Sequence, residues 1–65
     1  MKQIGIYRVV RVDQTECRNN IVDICSPFTT SHARAQAQLA IEETKAPSTD
    51  DYFATIDSET VNVED

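Results

Sequence analysis

The chain has 65 residues, of which 40% are hydrophobic and 26% charged, with one glycine, two prolines and a net charge of −5. That length makes one domain near the lower size limit for a core without disulfides or metal, and the composition excludes a low-complexity or wholly disordered chain. No run approaches the ~18 apolar residues of a membrane span, and Arg8 and Arg11 interrupt the opening residues before a signal peptide can form, so the expected compartment is the cytoplasm with Cys17 and Cys25 reduced.

Ile4 to Val12 alternates as a strand, with Ile4, Ile6, Val10 and Val12 in one phase and Tyr7 and Val9 in the other. Arg8 falls in the isoleucine phase. Either a bulge shifts the register there, or its stem lies across the core edge with the guanidinium in water. Residues 13–20 are polar, end in Asn19-Asn20 and form the first loop. Ile21 to Cys25 is a second strand, with Val22 and Ile24 opposite Ile21, Asp23 and Cys25, and Pro27 closes it because proline cannot donate to a ladder. The two strands form a hairpin. A disulfide across it would need Cys17 and Cys25 to face each other on paired strands, and the cytoplasmic reading favours free thiols.

Thr29, Thr30 or Ser31 caps a helix from about His32 to Thr44. Its spacing predicts a buried stripe of Ala33, Ala37, Ala40, Ile41 and Thr44, with Arg34, Gln38 and Glu42 on the opposite side. Residues 46–51 end the helix as a loop around Pro47. Residues 52–56 form a third strand and 60–63 continue the alternation. Asp57-Ser58-Glu59 is expected to turn the chain into a fourth strand, the alternative being one long strand. The fold class is α+β, a ββαβ(β) single domain spanning residues 1–65, with a mostly antiparallel sheet of three or four strands and one helix on one face.

His32 is the only histidine. A nucleophile made from it and Cys25 lacks the third, orienting group that such catalysis needs, and two cysteines with one histidine at these spacings match no zinc pattern. The chain is therefore expected to be no enzyme, with no metal and no cofactor. Arg8, Arg11 and Arg18 with Tyr7 resemble a stacking face for single strands, but at net −5 they are expected to be solvated arginines paired with the acidic half, without direct nucleic-acid binding.

Charge is divided along the chain. Residues 1–34 sum to +2 and residues 35–65 to −7, with no basic residue after Lys45. The candidate partner-binding residues are Asp50, Asp51, Asp57, Glu59, Glu64 and Asp65, with Glu42 and Glu43 from the helix. On one strand, Asp57 and Glu59 project about 6.6–6.8 Å apart from the same face, close to two phosphate steps of DNA. In size, acidity and layout the whole chain resembles small phage-encoded host-takeover proteins, including anti-CRISPR proteins and other nucleic-acid mimics. That resemblance carries no motif. It implies a stoichiometric inhibitor that occupies the basic groove of a host protein or nucleoprotein complex, in the cytoplasm of the host cell. The second reading is an assembly module that binds, or dimerises, through sheet edges or faces. A core this small leaves only about 3–5 kcal/mol of stability, to which a second copy would add materially.

Overall fold

A computed structural model of the chain describes residues 2–64. The elements are β1 (Lys2–Asp13), β2 (Asn20–Ile24), α1 (His32–Lys45) and β3 (Tyr52–Val63). The three strands form one antiparallel sheet in the order β2-β1-β3, with α1 on one face, so the α+β class stands. Among the described residues no helix is long and apolar enough to cross a membrane.

The expected turn at Asp57-Ser58-Glu59 does not form. Those residues lie mid-strand, opposite Arg8, Tyr7 and Ile6 of β1. No glycine offers a tight turn there, β1 is long enough to accept twelve partners, and the Asp57 carboxylate meets the Arg8 guanidinium across the ladder at 2.9 Å. Extension wins because it keeps every ladder bond.

The β1–β2 pairing carries a shift. Arg11 faces Asp23 and Val12 faces Ile21, which leaves Val22 without a partner. This bulge overturns the simple alternation expected for β2: Ile21 and Ile24, three residues apart, reach the same face as Val12 and Val10. Beyond Ile24 the chain keeps following β1. Cys25 N donates to Val9 O at 2.8 Å, Val9 N to Ser26 Oγ at 2.9 Å, and Tyr7 and Thr29 exchange two backbone bonds of 2.8 Å.

Ser31 caps α1, its hydroxyl accepting from Arg34 N at 3.2 Å, while Thr29 Oγ1 accepts from Ser31 N. The helix stops at Ala46, before Pro47, with Ala46 N donating to Glu42 O. The face it buries differs from the expected one. Ala35 and Glu42 are buried and Gln38 and Leu39 half-buried, whereas Ala33, Ala37, Ala40, Ile41 and Thr44 are exposed. The polar contacts of the sheet set this rotation: Tyr7 packs edge-on against His32, and Arg11 reaches the carboxylate and carbonyl of Glu42. The hydrophobic core is small, made of Val9, Val10, Val12, Ala35 and Ala54.

Candidate functional site

Alternation along β1 divides the sheet into two faces. Tyr7, Val9 and Arg11 point toward α1, as do their β3 partners Ser58, Ile56 and Ala54. On this covered face Arg11 joins sheet to helix. Its Nη2 donates to Glu42 O at 2.8 Å and lies 3.6 Å from Glu42 Oε2, and Nη1 donates to Ala46 O at 3.3 Å. The guanidinium thus satisfies carbonyls at the helix C-terminus and complements the dipole there. Glu42 also accepts from Gln38 Nε2 at 3.0 Å and lies 3.6 Å from Lys45 Nζ.

Among the described residues no helix or strand lies over the other face. At its midpoint sit Arg8 and Asp57, with Nε donating to Oδ2 at 2.9 Å and the guanidinium carbon 4.4 Å from the centroid of the Phe28 ring. No bulge interrupts the β1–β3 ladder, so Arg8 stands in the isoleucine phase with its charge held by a carboxylate and an aromatic face. Toward the start of β1 lie Ile4, Ile6, Val61 and Val63, each half-buried. Toward the far end lie Val10 and Val12, buried between Ile24, Ile21 and Phe53 in the adjacent strands. Ile21 and Ile24 themselves are 49% and 55% exposed. A sheet that leaves such residues to water on one side lacks the usual polar alternation of an open antiparallel sheet.

The carboxylates singled out by sequence do not gather into one surface. Glu42 and Asp57 are held in ion pairs with arginines of the basic half, as the paired reading expected. Glu43 accepts from the hydroxyl and the backbone N–H of Ser48, which hold its carboxyl below the usual value. Asp50 and Asp51 are exposed in the loop before β3, Glu59 is exposed on the uncovered face, and Glu64 follows the far end of the strand. The ends of a twelve-residue strand are about 36 Å apart, so Asp51 and Glu64 act at opposite poles. Asp57 and Glu59 do share one face. Asp65 lies outside the described residues.

Both cysteines are free, Cys17 exposed and Cys25 half-buried. Burial raises the Cys25 thiol above its ordinary value, the charges of Glu42 and Asp23 add to that, and Arg11 and Lys45 partly offset it. Cys17 adopts φ 59° in the first loop, where its N–H donates to Gln14 O. Among the described residues no cavity is present, and no three histidine, cysteine or carboxylate side chains come together in the manner of a metal site. Sequence reasoning placed the helix on one face and named sheet faces as a binding surface, but did not say which residues stay uncovered; the signal for them was Arg8 standing alone in an apolar phase. A scan against protein-family models finds no match, and searches of curated proteins and of solved structures return no significant similarity.

Proposed function

We propose that the chain is a non-catalytic assembly module that binds another protein surface through the uncovered face of its sheet. The observation that carries this is the row of isoleucines and valines on that face, with α1 occupying only the other side. Burying apolar area of this kind drives association with little dependence on salt. The test is capture of partners from the native cell lysate at low and high salt, using the original chain beside Ile6→Lys/Val61→Lys. Capture that survives high salt and disappears in the double variant supports the reading. Capture unaffected by the variant overturns it.

A second reading keeps the acidic surface. Asp50, Asp51, Glu59 and Glu64 are exposed and have no ion-pair partner among the described residues, which favours a host-takeover inhibitor acting in the cytoplasm of a host cell on a basic groove. Neutralising these four to Asn and Gln then slows association with the captured partner, and the effect fades as salt rises.

A further inference from the structure

The occupant of the uncovered face follows from area and charge. The chain exposes 4720 Å², against about 4,200 Å² for a monomeric protein of its mass. Its radius of gyration is 13.2 Å, where a compact chain of this length has about 11 Å. One copy therefore leaves roughly 500 Å² of surface unspent on a core. The β1–β3 ribbon of the uncovered face supplies most of that figure: twelve residues of each strand at about 3.3 Å, with strands about 4.8 Å apart, give a footprint of roughly 400 Å². Two such footprints in contact bury about 800 Å², the size of a weak, reversible protein interface.

We infer that a second copy of this chain covers the face, the two sheets packing face to face as a sandwich across a two-fold axis that runs along the ribbon between β1 and β3. The inference rests on the docking role of that face. In this arrangement β1 of one copy lies over β3 of the other, so Ile4 meets Val61 and Arg8 meets Asp57, and each contact occurs twice. Charge agrees with this. Arg8 spends only its Nε on its own Asp57, so Nη1 and Nη2 have no protein acceptor among the described residues, and the exposed carboxylate of Glu59 stands two positions along the same face. Across the axis those donors and the carboxylates of the second copy satisfy each other.

Edge pairing is the rival way to join two copies, and the charges oppose it. Antiparallel pairing of two β3 edges about their midpoints sets Asp57 opposite Asp57 or Glu59 of the other copy in two of the three central registers, and Ile56 opposite Glu59 in the third.

Sedimentation equilibrium of the full chain, from low micromolar to submillimolar concentration, is expected to show a mass that rises toward twice the 7.3 kDa chain mass, with Ile4→Lys/Val61→Lys raising the dimer Kd by more than about 100-fold. Ile41→Lys, on the exposed side of α1, leaves the dimer intact. Isotope-filtered NOEs in a mixture of labelled and unlabelled chains read the interface without any variant, and are expected between the Ile4 and Val61 methyls of different copies. A monomer at every concentration, or a dimer that resists the face variant and yields to Ile41→Lys, overturns the proposal. A monomer whose lysate partner is still lost in Ile6→Lys/Val61→Lys overturns self-pairing alone and leaves the docking role standing.

Discussion

Arg11 bonds three acceptors from one guanidinium: two carbonyls at the end of α1 and the carboxylate of Glu42. Arg11→Met keeps the stem but leaves two helix-end carbonyls without their donor and Glu42 with only Gln38 and Lys45, so it is expected to cost about 1–3 kcal/mol in urea unfolding. Arg11→Lys restores little, because an ammonium cannot span the same fork of acceptors. The thiols differ in a second measurable way. Alkylation followed by mass spectrometry is expected to label Cys17 first, since Cys25 is partly covered and its thiol is held protonated above the ordinary range. Gly5 has a steric role instead of a turn role: a Cβ there would stand 2.8 Å from the Tyr7 hydroxyl, so Gly5→Ala should displace that ring and change the ring-current shifts of His32. Single residues were only partly legible in the sequence. Arg8 announced itself by breaking an apolar phase, whereas Glu42, spaced among polar neighbours on a helix, read as solvated.

At the scale of elements, the helix shows how a pattern of small residues misleads. An alanine stripe has little apolar area to bury, so a few polar anchors outweigh it and turn Ala35 inward instead of Ala37. Ala35→Leu is expected to destabilise by about 1–3 kcal/mol through overpacking, while Ala37→Leu, on the exposed side, changes stability by less than about 0.5 kcal/mol. Denaturant unfolding of the two variants side by side checks the rotation. The strands were legible as strands because β-branched alternation is a local signal. The length of β3 and the bulge at Val22 were not, since both depend on what β1 offers as a partner.

For the molecule as a whole, the opposed charges of the two halves become contacts. Arg8 with Asp57 and Arg11 with Glu42 each join the basic half to the acidic half, so the division seen along the sequence is partly neutralised in space. Asp57→Asn therefore carries a stability cost that Glu59→Gln does not, on the order of 1 kcal/mol because the pair is only partly shielded from water. Melting temperatures of the two single variants distinguish them. Acid acts through two other carboxylates. The backbone N–H and then the hydroxyl of Thr15 hold Asp13 below its usual 3.8, and Ser48 holds Glu43 below its usual 4.5. A group with a lowered folded value contributes stability that is present above its ordinary value and lost as pH falls through the lowered one. The melting temperature is accordingly expected to hold between pH 7 and about 5 and to decline below about pH 4. Fold class was readable at this scale from the order of periodic segments. The bare face was not, because alternation reports that two faces differ and leaves open which of them the helix takes.

The register of β1 with β3 also governs how fast the sheet is completed. The nearest pair is Asp13 with Tyr52, so every bond of that ladder joins residues at least 39 positions apart, whereas β1 meets β2 across a loop of only six residues. Closing the long loop loses chain entropy before any of its bonds return energy. The hairpin and the helix then form early, and β3 zips on after the rate-limiting step. Truncating Ile56 to Val should therefore speed unfolding and leave the refolding rate nearly unchanged in stopped-flow measurements. A partner or second copy that grips β3 would act chiefly by slowing its release.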